Sequence, residues 1–221
     1  GYDALMASIR PTEKLPGKKA AIIGGGPTGI AAAYFLARGG VQTTIFEREE
    51  KLGGVPRYVI PAFRISDEAL DKDVALMERL GVEVKCGAPA PSVAELKKMG
   101  YTHILLATGA WQAGELGIPG NVRGVIAWMK EMKQQVKPCL EGHVVVVGAG
   151  NTAMDAARVA KRMGAASSTL VYRRTKKEMP ADEHELKLAI DEGVNLVELA
   201  APVEQKDGKL VCSKMKLGEP D

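Results

Sequence analysis

Cysteine is scarce in this 221-residue chain, and its three copies, Cys86, Cys139 and Cys212, lie far apart. They form no CxxC pair, so the sequence encodes neither a disulfide framework nor an iron-sulfur or other metal site. We therefore expect three thiols without chemistry, each buried or partly buried.

The chain also has few aromatic residues, 5% of the total. It has no apolar run near the roughly 18 residues that a membrane-spanning helix needs, and its first residues lack the apolar core of a signal peptide. Basic residues number 30 against 27 acidic ones, a balance too even for a nucleic-acid surface. These absences predict a cytoplasmic protein that binds neither membrane nor nucleic acid.

A hydrophobic content of 46% and a charged content of 26% are ordinary for a globular chain of one large or two small domains. Near its start, the apolar residues 19–23 predict a strand that leads directly into the turn GGGPTG. An alanine-rich helix is predicted at 28–38, followed by a second strand at 41–46 that ends at Glu47. The pattern is that of a parallel βαβ unit.

Gly24, Gly26 and Gly29 form a GxGxxG pattern between that strand and that helix, the context that makes the motif informative. The first glycine permits a tight turn, the second lets a pyrophosphate approach the backbone, and the third lets the helix pack on the strand. Glu47 is placed to bind a ribose, and its charge disfavours a 2'-phosphate, so this turn predicts FAD or NAD. The alternative is that the glycines only end a strand and that Glu47 is a solvated surface acid.

The same order of elements returns later, with strands at 143–147 and 169–172 around the turn GAGNTA and a helix at 154–163. Gly148, Gly150 and Ala153 give the variant GxGxxA. After the second strand, Arg173 and Arg174 replace the acid, and two guanidinium groups favour the 2'-phosphate of NADPH. A solvated surface pair is the alternative.

Further elements are predicted from caps and periodicity. They are a helix from Ser66 and Asp67 to Leu80, strands at 82–86 and 101–107, a capping box of Ser92 with Glu95, helices at 128–136 and 182–192, and a hairpin of 203–206 with 210–215. The chain is thus interpreted as an α/β protein with two Rossmann-like three-layer nucleotide-binding folds.

In sequence order, the motifs AIIGGGPTGIAAAYFLARGG, FERE, LGGVPRYVIPAFRI, ILLATGA, VVVVGAGNTAMDAARVAKRMGA and VYRRTKKEMPA resemble the glutamate synthase small-subunit family of FAD and NADPH flavoproteins. That family also includes the flavin part of dihydropyrimidine dehydrogenase. The ending CSKMKLGEPD is most similar to the selenate reductase branch.

The resemblance implies cofactor contacts at specific positions. For FAD these are Gly24, Gly25, Gly26, Pro27, Thr28, Gly29, Glu47, Arg48, Gly54, Val55, Arg64, Ala90, Thr108 and Gly109. For NADPH they are Gly148, Ala149, Gly150, Asn151, Thr152, Arg173 and Arg174. In the family, Val55 and Arg64 match positions along the flavin and its phosphates, and Ala90 matches a backbone contact to adenine.

The resemblance also implies where the domains lie. Residues 1–17 are a linker, 18–141 the N-terminal part of the FAD-binding domain, and 142–221 an NADPH-binding domain truncated at its C-terminal end. The family closes its FAD fold with a Gly-Asp pair after the NADPH fold, and this sequence has no such dipeptide. We therefore expect the first fold to be incomplete and to hold FAD weakly.

The implied activity is that of an NADPH-dependent flavin oxidoreductase, which passes a hydride from NADPH to FAD and electrons onward to an iron-sulfur domain or a larger redox subunit. No acid or base is required for that hydride step, so no catalytic side chain is predicted. A disulfide reductase would need a CxxC beside the flavin. A non-catalytic nucleotide-binding scaffold that recruits a larger redox subunit is the second hypothesis.

Overall fold

The computed structural model describes residues 1–112 and 114–218. The chain forms two compact units, Gly1–Trp111 and Gln112–Asp221. The first unit contains α1 (Tyr2–Ser8), β1 (Lys19–Ile23), α2 (Pro27–Arg38), β2 (Gln42–Phe46), α3 (Gly54–Tyr58), α4 (Asp67–Arg79), β3 (Glu83–Lys85), α5 (Val93–Lys98) and β4 (His103–Leu106). The second contains α6 (Val125–Lys133), β5 (His143–Val147), α7 (Asn151–Arg162), β6 (Ser167–Val171), a 3-10 turn (Lys176–Glu178), α8 (Glu183–Asp191), β7 (Val194–Val197), β8 (Ala200–Lys206) and β9 (Lys209–Lys214).

The first unit is built on a parallel four-stranded sheet in the order β3-β2-β1-β4. Ile22 of β1 and Ile45 of β2 are opposite each other in the ladder and fully buried. Ala33 and Ala37 of α2 are also fully buried and pack in the same cluster. Their small side chains let the helix lie close to the sheet, and the short turn of residues 24–26 places the N-terminus of α2 at the carboxyl end of β1.

The second unit repeats this arrangement with a parallel three-stranded sheet in the order β5-β6-β7. Met154 and Ala157 of α7 pack against Leu170 of β6 and Val194 of β7. A separate antiparallel hairpin, β8-β9, turns at Asp207 and Gly208, and both have positive φ, as that tight turn requires. The predicted α/β class with two Rossmann-like parallel units is confirmed.

Several elements differ from the sequence predictions. The short helices α1 and α3, the 3-10 turn and β7 were not predicted, and α6 begins and ends before the predicted 128–136. Each unpredicted helix is too short to show a clear apolar period. The expectation of buried or partly buried thiols is wrong for Cys139, which is exposed, whereas Cys86 and Cys212 are partly buried. Within the described residues, no helix is long and apolar enough to cross a membrane.

Candidate nucleotide-binding sites

The first glycine-rich turn begins at Gly24, directly after β1. Its N–H donates to the carbonyl of Phe46 at 2.9 Å, which ties the turn to the end of β2. Gly24 has φ +108°, and a Cβ there would lie 2.3 Å from the carbonyl oxygen of Ala107. Only glycine fits both the backbone conformation and this close approach to the segment after β4.

The other two glycines of the motif have different surroundings. A Cβ at Gly29 would lie 2.0 Å from the carbonyl oxygen of Gly24, so this glycine is required by helix packing. A Cβ at Gly26 would meet only the Cα of Gly54, at 3.8 Å. The space above Gly26 is therefore open to a ligand, as the motif predicts for its second glycine.

Helix α2 begins at this open space. Gly26 is its N-cap and offers no side-chain cap, while Pro27 at the first helical position has no N–H. The first helical hydrogen bond is from Ile30 to Gly26. Among the described residues, none accepts a hydrogen bond from the N–H groups of Thr28 and Gly29, so these groups and the positive end of the helix dipole suit a phosphate.

Glu47 is buried, with 6% of its surface exposed. Its Oε2 accepts the Gly25 N–H at 2.6 Å, and its Oε1 accepts the Glu49 N–H at 2.9 Å. The interpretation of Glu47 as a solvated surface acid is wrong. By accepting these N–H groups, the carboxylate stabilises the conformation of the turn. Each of its oxygens keeps a further lone pair that can accept a hydrogen bond from a ribose hydroxyl.

A second loop supports the same turn; among its residues, Gly54 is one of the implied FAD contacts, whereas Gly53 and Arg57 had no predicted role. The N–H of Gly53 donates to the carbonyl of Gly25 at 2.7 Å. Gly54 has φ +56°, and its Cβ would lie 2.7 Å from the Cα of Gly26. Buried Arg57 donates to the carbonyl of Leu52, so its guanidinium holds this loop in place.

Arg57 is itself anchored to α4. Its Nη2 donates to Asp71 at 2.6 Å, and its Nη1 lies 3.6 Å from Asp67. The guanidinium thus connects the start of α4 to the loop that touches the glycine-rich turn. Asp67 and Asp71 are ten or more residues away from Arg57 in the sequence, so no local sequence pattern indicated this role for the arginine.

The remaining predicted FAD contacts are distributed around this turn and beyond it. Arg48 is exposed, and its guanidinium lies 5.2 Å from the centroid of the Trp111 ring. Thr108 and Gly109 are exposed in the segment that passes Gly24. Val55 and Arg64 are partly buried at and after α3. Ala90 packs in the cluster of Ala21, Phe46, Leu96 and Tyr101, and its contact to adenine stays a prediction.

The second glycine-rich turn has the same construction. Gly148 has φ +135°, and its N–H donates to the carbonyl of Val171 at 3.0 Å. A Cβ at Gly150 would have no heavy atom within 4 Å. Ala153 is buried, so alanine at the third position packs the helix on the sheet as predicted.

This turn, too, is supported by a later loop. The N–H of Ala181 donates to the carbonyl of Ala149 at 3.1 Å, and the N–H of Asp182 donates to the Oδ1 of Asn151 at 3.3 Å. Ala149 occupies the position that Gly25 has in the first turn. In both units the second residue of the turn therefore accepts a hydrogen bond from a distant loop, a repeat that the sequence does not reveal.

Arg173 and Arg174 follow β6 and are both exposed. The structure places them just beyond the carboxyl end of the strand, after Tyr172, which takes the position that Glu47 has in the first unit. Thr152, in the first turn of α7, is exposed as well. Two arginines near an uncapped helix N-terminus form a cationic surface that suits a phosphorylated ligand.

Helix α7 is held in position by an ion-pair network at its far end. Buried Arg158 donates to Oε1 of Glu192 at 2.7 Å through Nη2, and Arg162 donates to Oε2 at 2.9 Å through Nε. Glu185 lies 3.6 Å from Arg158. The hydrogen bond from Arg162, followed by that from Arg158, lowers the pKa of Glu192 from 4.5 to about 2.

Comparison with known proteins agrees with these observations. Residues 18–219 match the pyridine nucleotide-disulphide oxidoreductase family. The chain is 42% identical over 207 residues to YgfK of Escherichia coli strain K12, which is named as an oxidoreductase, and the match covers 91% of this chain and 20% of that protein. It is 33% identical over 245 residues to the glutamate synthase [NADPH] small chain of the same strain, covering 100% of this chain and 51% of that one.

Among solved structures, thioredoxin reductase of Lactococcus lactis has a similar fold, with a TM-score of 0.62 at 23% identity, covering 91% of this chain and 73% of that one. The resemblance to the glutamate synthase small-subunit family is confirmed. The chain spans a fifth to about half the length of the two curated relatives.

Proposed function

The chain belongs to the pyridine nucleotide-disulphide oxidoreductase family, and we propose that it is an NADPH-dependent flavin oxidoreductase module of a larger redox protein. The observation that carries this proposal is the contrast between two glycine-rich turns of the same construction. A buried acid supports the first, whereas an exposed arginine pair follows the second. The first turn suits a free ribose, and the second suits a ribose with a 2'-phosphate.

Both turns have room for a dinucleotide, as the space around their glycines shows. The second glycine of each, Gly26 and Gly150, is where an added Cβ would enter open space rather than protein. Within residues 1–112 and 114–218, no acceptor bonds the N–H groups of Thr28 and Gly29 in α2 or those of Asn151 and Thr152 in α7, so each helix presents them at that space. The FAD pyrophosphate would be held at the first turn with Glu47 at the ribose, and NADPH would be held at the second turn with Arg173 and Arg174 at the 2'-phosphate.

The chemistry that these cofactors supply when bound is transfer of a hydride, two electrons and one proton, from NADPH to the flavin, which then yields electrons to a partner. The residues of this chain bind and orient the two cofactors. The partner is an iron-sulfur domain or a larger redox subunit. Support for a partner comes from the names of the relatives, since a small chain is one component of an assembly.

Two alternative functions can be distinguished from the proposed one. A disulfide reductase would need a CxxC pair, and the sequence has none. A non-catalytic scaffold would bind nucleotide without redox chemistry. Visible absorbance of the chain with added FAD distinguishes this scaffold, because NADPH bleaches the flavin spectrum only if a hydride reaches the flavin.

The NADPH assignment is tested by replacing Arg173 and Arg174 with alanine. Each lost charge-assisted hydrogen bond is worth about 1.5 to 3 kcal/mol, so the double variant should lose most of its preference for NADPH over NADH. Titration calorimetry with both nucleotides measures this preference. Alanine at Lys97 and Lys98, an exposed pair in the first unit, controls for the change in net charge. Equal affinity of the unaltered chain for the two nucleotides would refute the assignment.

A further inference from the structure

The loop that carries the two arginines is ordered by its own side chains. Glu178 accepts hydrogen bonds from the N–H of Thr175 at 3.0 Å and from its hydroxyl at 2.6 Å, completing a capping box around the 3-10 turn. The hydroxyl of Tyr172 donates to the carbonyl of Glu178 at 2.7 Å. Residues 172–178 thus form a closed loop in which Arg173 and Arg174 project from a fixed backbone.

A second set of contacts reaches this loop from the connection between β7 and β8. The N–H of Leu199 donates to the carbonyl of Arg174 at 3.1 Å. One residue earlier, the carboxylate of Glu198 accepts the backbone N–H of Lys176. Two adjacent residues therefore hold the loop on both sides of Thr175.

The connection itself is strained at this point. Leu199 has φ +53°, a left-handed conformation that is uncommon for a residue other than glycine. Its carbonyl accepts the N–H of Met215 at 2.7 Å, so both of its backbone groups are engaged. Strained backbone persists where surrounding contacts fix it, and such positions often lie at ligand sites.

We infer that Glu198 is a positioning residue for the 2'-phosphate of NADPH, acting through the backbone N–H of Lys176. Its charge has the wrong sign to attract a phosphate, yet its carboxylate contacts the loop that carries the cations Arg173, Arg174, Lys176 and Lys177. The hydrogen bond explains why an acid stands there, since it fixes the loop from which the arginines project. This inference rests on the proposed function.

Two substitutions separate the hydrogen bond from the charge. Glu198→Gln keeps an oxygen that can accept the Lys176 N–H but removes the charge, whereas Glu198→Ala removes both. Any gain from removing a negative charge near the phosphate is common to the two variants, so their difference isolates the hydrogen bond. Glu141→Ala, at an exposed acid of the same unit, is the matched control.

The experiment measures dissociation constants for NADPH and NADH by titration calorimetry on the full 221-residue chain. We expect Glu198→Ala to weaken NADPH binding about tenfold, the value of one charge-assisted hydrogen bond, and to leave NADH binding unchanged. Glu198→Gln and Glu141→Ala should keep NADPH affinity and selectivity at or above those of the unaltered chain. NADH serves as an internal control because it lacks the 2'-phosphate.

Limited trypsin digestion gives a readout that is independent of nucleotide. Trypsin cleaves after arginine and lysine, and the loop offers four such positions. Cleavage within residues 173–177 should be faster in Glu198→Ala than in the unaltered chain, whereas Glu198→Gln should be cleaved at the unaltered rate. A loop that is ordered without Glu198 would give the same rate in all three proteins.

Other outcomes would overturn the inference. Tighter NADPH binding by the same factor in both Glu198 variants would mean that the residue acts by charge alone. Weaker binding of both nucleotides by Glu198→Ala would mean that Glu198 has a general structural role. Unchanged selectivity for NADPH over NADH would mean that Glu198 has no role in recognising the 2'-phosphate. If Arg173→Ala with Arg174→Ala leaves the NADPH preference intact, or if the unaltered chain binds neither nucleotide, the proposed function itself fails. A selectivity that depends on the arginines but not on Glu198 overturns this inference alone.

Discussion

Replacing Gly150 with alanine adds one methyl group at the second glycine-rich turn, where the added Cβ has no heavy atom within 4 Å. The backbone there has φ −88° and ψ 172°, which alanine adopts without strain. Alanine is a poorer N-cap than glycine, which lowers the free energy of unfolding by about 0.5 to 1 kcal/mol. Alanine also restricts the unfolded chain, which raises the free energy of unfolding by about 0.4 to 1 kcal/mol. We therefore expect the thermal midpoint of unfolding to stay nearly constant.

NADPH binding should respond very differently to the same methyl group. If the open space above Gly150 receives the pyrophosphate, the methyl group forces the ligand away from the N–H groups of α7. Overpacking by a single group costs about 1 to 3 kcal/mol, which corresponds to a loss of affinity of about fivefold to more than a hundredfold. Titration calorimetry measures this loss, and thermal unfolding on the same sample shows whether the fold has survived.

Two other glycines of the same unit make the comparison specific. Gly148 has φ +135°, so Gly148→Ala should lower the thermal midpoint as well as the affinity. A Cβ at Gly114 also has no heavy atom within 4 Å, and Gly114→Ala should change neither quantity. Gly150→Ala that binds NADPH as tightly as the unaltered chain would refute the pyrophosphate assignment. A large drop in its thermal midpoint would refute the claim that the space is open.

In the first unit, Gly26→Val should abolish FAD binding with little effect on folding, because the branched side chain fills the open space at the turn. Titration of FAD into the chain measures this binding even where it is weak, and a variant that binds FAD as well as the unaltered chain would contradict the turn assignment. Gly29→Ala should destabilise the fold by about 1 to 3 kcal/mol because its Cβ overlaps the Gly24 carbonyl, and thermal unfolding measures this loss. Glu192→Gln should lower the free energy of unfolding near pH 7 by about 2 kcal/mol, less than for a fully buried pair because Glu185 still faces Arg158. The folded-state pKa of Glu192 lies below its ordinary 4.5, so its stabilisation is complete above that value and is lost as the pH falls toward about 2. Urea unfolding of both proteins near pH 7 and near pH 3 should therefore show a smaller difference at the lower pH, and a constant difference would contradict the assigned pKa.

The sequence predicted best where a local pattern and a local requirement coincide. Residues 19–23 and 143–147 are strands as predicted, because each glycine-rich turn fixes the end of the strand before it. The capping box of Ser92 and Glu95 is also confirmed, with both of its hydrogen bonds present. Such features depend on residues only a few positions apart, so no tertiary knowledge is needed.

What could not be predicted depends on contacts distant in sequence. Arg57 supports the first turn through the carbonyl of Leu52 and through α4, and neither contact leaves a motif. Glu198 meets Lys176 across 22 residues, because β7 brings the end of its strand next to that of β6. Both residues were assigned no role from the sequence, since an isolated arginine or glutamate is as common on a solvated surface.

The two units differ most in how the charged residues that follow the second strand are tied to the turn. Glu47 is buried and accepts the N–H of Gly25, so the acid that would bind a ribose is also part of the turn's own hydrogen bonding. Arg173 and Arg174 are exposed, and the second turn is supported instead by Ala181 and the loop that contains it. In the first unit, the residue that we propose for ribose recognition is therefore also needed for the folded turn. In the second, the arginines that we propose for the 2'-phosphate lie on a surface loop, whose side chains can change without removing a hydrogen bond from the turn.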